Sequence, residues 1–231
     1  MSETARVRAI YDRQANRYDQ MIAMVDRVLL GDARAWAAGQ ARGRVLDVAA
    51  GTGRNLPHYQ ATTEVTIIDV SNGMLEHARR RTEGRLPLVD ARLGDAQQLP
   101  FADKSFDTVV ATLALCSIPD DAAAVREMAR VLKPGGGLFL VEHVGSPLPW
   151  LRRLQRLLEP VSIRVAGDHL TRDPLALVTE AGLRVDAVHG SRLGLMLRLV
   201  AHKEPEKSIQ PSSTVAAVPG ADAAGLPSHH A

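Results

Sequence analysis

Cysteine is nearly absent: 231 residues contain one, Cys116, and Phe, Tyr and Trp together make up only 3%. A single thiol cannot form an intrachain disulfide, so nothing in the chain calls for an oxidising compartment. Charge of one sign is also missing, because 28 basic residues stand against 26 acidic ones for a formal net charge of +2. That balance excludes functions built on a strong electrostatic field, such as non-specific wrapping of nucleic acid. The longest uncharged apolar stretch, Thr108 to Ile118, is too short to span a bilayer, and Met1 to Arg6 carries charge where a secretory signal needs apolar residues. A cytoplasmic location is expected. No repeat recurs at a period of 20 to 50 residues, and none of the eight histidines pairs with another at ligand spacing, so no catalytic metal is expected. What is present, 45% hydrophobic and 23% charged residues with a mean hydropathy of -0.07, is the make-up of one domain with a substantial core.

Apolar residues at helical spacing from Thr4 to about Gln40 predict a helical lead-in, with residues 1–42 forming an N-terminal cap. From Arg44 the pattern changes to short β-branched runs: Arg44 to Val48, Glu64 to Val70, Leu86 to Leu93, Phe106 to Thr112 and Gly137 to Val144. Helical stretches at Arg54 to Tyr59, Ser71 to Glu83 and Asp120 to Leu132 lie between them. Strands that read as continuous apolar runs and alternate with helices predict an α/β fold, a doubly wound, mostly parallel sheet covered on both faces. The domain runs over residues 43–202. Residues 146–170 interrupt the rhythm with an amphipathic basic helix, Pro147 to Val165, which reads equally as a lid, a lipid-contacting element or plain surface. After a helix at Asp173 to Ala181, Leu183 to His189 and Leu195 to His202 predict a terminal antiparallel hairpin. Residues 203–231, rich in Pro, Ser, Ala and Gly, read as a disordered tail.

The segment Val45-Leu46-Asp47-Val48-Ala49-Ala50-Gly51-Thr52-Gly53-Arg54-Asn55 is a strand running into a glycine turn, a unit that lets a ligand approach the backbone at the carboxyl end of a sheet. A dinucleotide needs a third glycine where Leu56 stands, and Asp47 at the strand end repels a diphosphate. A cationic ligand without phosphate, such as S-adenosylmethionine, fits better. Asp69, at the end of the second strand, is placed to accept from two ribose hydroxyls, and Asp95 after the third to accept from an adenine amino group beside the Ala96 amide. The alternative is a nucleotide-dependent oxidoreductase or a non-catalytic nucleotide-binding protein on a Rossmann-like fold.

These stretches, with Asp69 to Met74, Gly94 to Phe101, Ser105 to Val110, Leu132 to Gly136 and the lead-in Tyr11 to Asp19, resemble the class I S-adenosylmethionine-dependent methyltransferases, in the branch of the ubiquinone and menaquinone biosynthesis enzymes. The resemblance implies a seven-stranded sheet. It places the methionine end of the cofactor on Asp47, Gly51 and Gly53, with Ala49 where the family often has glycine; the ribose lies on Asp69 and the adenine among Val70, Met74, Asp95 and Ala96. Tyr18 covers the methionine end, and Leu113 completes the cofactor set. Narrower likenesses in Leu113 to Pro119, Leu140 to Val144 and Gly167 to Arg172 look like the small alkyl-thiol methyltransferases and the bacterial phosphatidylethanolamine N-methyltransferases.

Methyl transfer is an in-line displacement, so alignment and exclusion of water are the main requirements. His143, at the end of the fifth strand, is the candidate base or acceptor-positioning group. Cys116 sits in a nucleophile's place, although the mechanism needs no covalent intermediate. His169 and Arg172 are placed either to reach a substrate anion or to cap the next helix. The turn Ala114 to Pro119 lacks the Asn or Asp-Pro-Pro-aromatic signature of base-amino enzymes, so no nucleic-acid partner is expected. The expected acceptor is a small molecule, a thiol or lipid-like amine ahead of a hydroxyl or quinol carbon, with at most peripheral membrane contact.

Overall fold

The computed structural model describes residues 1–82 and 89–206. Residues 207–231, with His229 and His230, and the start of the predicted strand at Leu86 lie outside that range. The chain begins with helices α1 (Glu3–Val25) and α2 (Ala33–Gln40) and then alternates as β1 (Arg44–Val48), β2 (Glu64–Asp69), α3 (Asn72–Thr82), β3 (Val89–Leu93), β4 (Phe106–Thr112), α4 (Asp121–Val131) and β5 (Leu132–His143). It continues through α5 (Pro149–Val165) and α6 (Pro174–Glu180) into β6 (Arg184–Gly190) and β7 (Met196–His202). The strands form one sheet in the order β3-β2-β1-β4-β5-β7-β6. The first five are parallel, and β7 is antiparallel to both β5 and β6.

Strand periodicity sorts the core into two layers. Leu46, Val48, Val109, Ala111, Leu138 and Leu140 face α4 and α6, meeting Val125, Met128 and Val178. Their neighbours Val45, Val110, Phe139 and Val141 face the other way, onto Ala37 and Ala38 of α2 and Leu75 and Ala78 of α3. Both faces are covered, which is why the middle of β1 (Val45, Leu46) and of β4 (Val109, Val110, Ala111) is continuously apolar.

The helical lead-in is present as α1 and α2, between which the chain widens into a π-helical turn at Asp26–Leu30, closed by Gly31 N donating to Asp26 O at 2.8 Å. Two expectations need correction. The predicted helix at Arg54 to Tyr59 is only a three-residue 3-10 turn, Leu56–His58, because Gly51 and Gly53 hold positive φ and Pro57 removes an amide donor. The fifth strand begins at Leu132 instead of Gly137, with a register shift opposite Phe106 and Thr108 that absorbs the glycine run. Just past β7, Lys203 Nζ donates to Ala129 O at 2.7 Å and Leu132 O at 2.9 Å, at the junction of α4 and β5.

Candidate active site

The carboxyl ends of β1, β2 and β4 and the loop after β3 open into a cleft of about 770 Å³, counting its open mouth. Helix α1 forms its roof. Asp12 receives Ser71 Oγ at 2.5 Å and Gly73 N at 3.1 Å, fastening α1 to the start of α3. Farther along, Asp19 receives Thr52 Oγ1 at 2.6 Å and pairs with Arg81, while Arg54 bridges Asp19 at 3.4 Å and Asp26 at 2.5 Å. The N-terminal cap is thus bound to the glycine loop by an ion-pair network. Tyr11 and Tyr18, seven residues apart on one helical face, both line the cleft with ring centroids 6.2 Å apart.

The loop after β1 has the geometry of a ligand cradle. Ala49, Gly51 and Gly53 all have positive φ, at 51°, 57° and 74°. The family's glycine at position 49 therefore answers a conformational demand more than one of size. No atom lies within 4 Å of where a Gly51 Cβ would stand, so that backbone is open to a ligand, whereas a Cβ on Gly53 would come within 2.5 Å of Leu56 Cδ1 and 3.1 Å of Ala78 Cβ. Replacing Gly53 by Ala is expected to destabilise the fold by about 1 to 3 kcal/mol, read as a loss in thermal midpoint, through that clash and the positive φ. Asp69 accepts from Gly51 N and Ser71 N, both at 2.8 Å, so the second acid both shapes the loop and borders the cleft.

Of the residues expected at the cofactor, Tyr18, Ala49, Gly51, Asp69, Val70, Met74, Asp95, Ala96 and Leu113 border this one cleft. The Asp95 carboxylate is shared with Gln97, whose Nε2 donates to its two oxygens at 2.8 and 2.9 Å. Asp47 and Gly53 do not border the cleft. Asp47 is fully buried behind the loop, and Asn55 Nδ2 lies 3.2 Å from each of its oxygens. The Tyr59 hydroxyl is buried beside it without a hydrogen bond of acceptable geometry. Gly53 faces Leu56 and α3, so both residues shape the loop from behind.

His143 does not border the cleft either. Consecutive strand residues point to opposite faces: Glu142 reaches the β4 loop and accepts from Ala114 N at 3.1 Å and Leu115 N at 3.2 Å. His143 lies on the other side with Glu159 as its charged neighbour, and burial lowers its pKa. His143→Ala is expected to leave turnover within about twofold of wild type in a steady-state assay, as suits a group without substrate contact. Arg172 neither reaches the cleft nor caps α6. Its guanidinium holds the carbonyls of Leu115, Ile118 at 2.5 Å and Pro119 at 3.2 Å and pairs with Asp121 at 3.2 Å, fixing the β4 loop. His169 N donates to Cys116 O at 2.8 Å and helps to fix the same loop.

Sequence reasoning missed three charged groups at or beside the cleft. Arg34 and Arg54 border the cleft beside the β1 loop, Arg34 donating to Asn55 Oδ1 at 3.2 Å and pairing with Asp26 at 3.1 Å. Asp168, on the segment returning from α5, lies beside the β4 loop, where Tyr11 Oη donates to its Oδ1 at 3.2 Å and Cys116 Sγ lies 3.9 Å away. It keeps some accessible surface yet sits deep enough that burial raises its pKa to about 6. Tyr18 lies between these groups, with Arg34, Cys116, Asp168 and Asp69 among its charged or titratable neighbours.

Burial raises the pKa of Asp47 and Glu142 to about 7 and that of Asp69 to about 6, while it lowers those of His58, His143 and His169. A carboxyl raised above its unfolded value contributes stability that is present at low pH and lost as pH rises through the folded value. Between about pH 8 and 6.5 the carboxyls dominate, so the ligand-free protein should gain about 1 to 2 kcal/mol as pH falls. Below that window the histidines, whose lowered values act in the opposite direction, should flatten the gain. Thermal midpoints across the range test both limbs, and an Asp47→Asn, Glu142→Gln double variant should lose most of the rise.

The loop also separates the two ligand classes. No α-helix follows it, so no helix N-terminus faces a diphosphate, and Leu56 is packed into the core where a dinucleotide fold needs its third glycine. A cationic nucleoside meets Asp69, the open Gly51 backbone and the tyrosine roof, so the residues fit S-adenosylmethionine. A family model described as "Methyltransferase domain" matches residues 46–140. The chain is 45% identical over 103 residues to a phosphatidylethanolamine N-methyltransferase of Cereibacter sphaeroides, covering 44% of this chain and 51% of that protein. It is 31% identical over 179 residues to a ubiquinone/menaquinone biosynthesis C-methyltransferase of Bartonella tribocorum, covering 72% and 69%. It thus spans about half to seven tenths of the length of these relatives. The solved structure of an S-adenosylmethionine-dependent methyltransferase from Mesorhizobium loti shares the fold, with a TM-score of 0.59 at 18% identity over 75% of this chain and 97% of that one. The strand order, the phosphate-averse loop and the relatives agree: the chain belongs to the class I S-adenosylmethionine-dependent methyltransferases, with the ubiquinone and menaquinone biosynthesis enzymes among its homologues.

Proposed function

We propose that this chain transfers a methyl group from S-adenosylmethionine to the nitrogen of a lipid-like amine held between Tyr11, Tyr18 and Asp168. The observation that supports the reading is the charge at and beside the cleft: Arg34 and Arg54 border it by the β1 loop, whereas Asp168, outside the lining, stands directly behind the cleft-lining Tyr11 by the β4 loop, with no hydrogen bond to its Oδ2 among the described residues. Arg34 and Arg54 suit the cofactor's carboxylate, Asp69 its ribose, and Val70, Met74 and Ala96 its adenine. Bound there, S-adenosylmethionine supplies an electrophilic methyl group on a sulfonium.

An amine that attacks this methyl gains positive charge on nitrogen, and a fixed carboxylate stabilises that charge as it develops. Asp168 accepts an N–H of the neutral amine, which turns the lone pair toward the methyl group and gives the proton a place to go after transfer. Tyr11 holds the carboxylate in position, and the two tyrosines exclude water. A thiolate loses its charge on methylation and is repelled by Asp168 on entry, so the same site disfavours it. The phosphatidylethanolamine N-methyltransferase relative is named for an amine-bearing lipid, which supports the acceptor class.

The test is an incubation with methyl-labelled S-adenosylmethionine and, separately, phosphatidylethanolamine, an alkyl thiol and a demethylated quinol. Label on the lipid amine supports the reading. Label only on the thiol or only on the quinol carbon contradicts it.

A further inference from the structure

Helix α5 is turned with its polar side inward. Gln155 is buried: its Oε1 accepts from Ser146 N at 2.8 Å and its Nε2 donates to Val144 O at 3.0 Å and Leu170 O at 3.1 Å. Glu159, one turn on, accepts from Leu170 N at 2.8 Å, Thr171 N at 3.2 Å and Thr171 Oγ1 at 3.1 Å. The apolar side is left facing outward. Trp150 is 63% exposed, Leu154 44%, Leu157 75%, Leu158 49%, Val161 62% and Val165 62%. At 100° per residue these six positions fall within an arc of about 100°, one continuous stripe along the helix. Arg153 and Arg164, both exposed, follow one border of it, exposed Arg156 lies farther round the same side, and the helix's one acid, Glu159, is turned inward.

We infer that this stripe seats α5 on an anionic lipid surface, with the three arginines on the headgroups and the apolar residues in the boundary below them. Three observations favour that occupant. The apolar stripe with a basic border and an aromatic residue at one end is the pattern of a helix lying in the membrane interface, and the arginines complement anionic lipid. A second copy of the chain fits poorly: an isologous contact with the two helices antiparallel brings the two arginine borders toward each other. A 17-residue helix also offers a face of only about 25 by 10 Å, far short of the roughly 800 Å² per partner of a standard interface. Finally, α5 leaves the carboxyl end of β5, and the segment after it returns to the β4 loop through His169 N and Cys116 O at 2.8 Å, so the stripe belongs to the end of the sheet where the cleft opens. No described helix is long and apolar enough to cross a membrane, so the contact lies in the plane of the surface.

The inference stands apart from the identity of the acceptor, and its test reads binding without turnover. The full chain is floated with vesicles of phosphatidylcholine, alone or carrying phosphatidylglycerol, at low and high salt. Binding to the anionic vesicles at low salt, weakened about tenfold or more by pure phosphatidylcholine or high salt, is expected. A Trp36→Phe background leaves Trp150 as the sole tryptophan, whose emission should shift to the blue on binding. Leu157→Glu with Val161→Glu, and separately Arg153→Glu with Arg156→Glu, should each reduce partitioning at least tenfold while leaving calorimetric binding of S-adenosylmethionine unchanged. Absence of vesicle binding by the wild type at low salt overturns the inference. Equal binding by the Leu157→Glu, Val161→Glu variant overturns it too, as does a wild-type dimer in sedimentation that this variant converts to monomer without any lipid binding. Loss of S-adenosylmethionine binding with vesicle binding intact counts against the proposed activity and supports the lipid surface.

Discussion

Replacing Asp69 by Ala is expected to weaken S-adenosylmethionine binding about 100-fold. Two hydroxyl donors on a charged acceptor contribute roughly 1.5 to 3 kcal/mol each when the partner is removed, part of which returns through hydration of the emptied site. The same carboxylate receives Gly51 N and Ser71 N at 2.8 Å, so its removal also leaves two loop amides without their acceptor. Calorimetric titration checks the affinity and a melting curve the loop. Asp69→Asn retains one carbonyl oxygen and should lie between wild type and Ala. An Ala variant that binds as tightly as wild type would show that the ribose lies elsewhere.

Asp168→Asn is expected to lower kcat with the amine acceptor about 100-fold while changing S-adenosylmethionine affinity by less than twofold, since removing a preorganised charge at the reacting centre costs on the order of 100- to 1,000-fold. Its pKa, raised by burial to about 6, fixes the sign of the pH effect. Wild-type kcat should rise with pH as this group ionises near 6, and that limb should vanish in the Asn variant. A purely structural role would shift the melting point and leave the shape of the profile intact. Tyr11→Phe, which removes the 3.2 Å hydrogen bond to Asp168 Oδ1, should reproduce a smaller loss.

The parts of the fold that were readable in sequence are those set by local pattern. The bounds of β1 and β4 agree with their apolar runs because both faces of those strands are covered, and the terminal hairpin follows from two short strands around a glycine turn. Three of the acids flagged after successive strands stand where expected in the chain, yet only Asp69 and Asp95 border the cleft. Asp47 and His143 stand outside the cleft lining for one physical reason: at a strand end, a shift of one residue decides which face a side chain takes. In the fifth strand Glu142, not His143, reaches the β4 loop, and no composition rule separates the two neighbours.

Other parts were hidden because their partners are distant in sequence. Tyr11 and Asp168 meet across 157 positions, and Arg34 meets Asn55 across 21. Tyr11 alone carried a usable signal, since it shares a helical face with Tyr18. Helix α5 was read correctly as amphipathic and basic, but its orientation depended on Gln155 and Glu159 finding backbone partners in residues 144–146 and 170–171. Those contacts invert the usual arrangement, and periodicity carries no information about them.

The central claim, that the cleft takes a cationic nucleoside and not a dinucleotide, is tested most directly by calorimetric titration of the folded protein near neutral pH with S-adenosylmethionine and, in parallel, with NADH. Saturable binding of S-adenosylmethionine in the micromolar range, abolished or strongly weakened in Asp69→Ala, with no heat from NADH, is the predicted result. Saturable NADH binding, or folded protein that gives no heat with S-adenosylmethionine, would contradict the account.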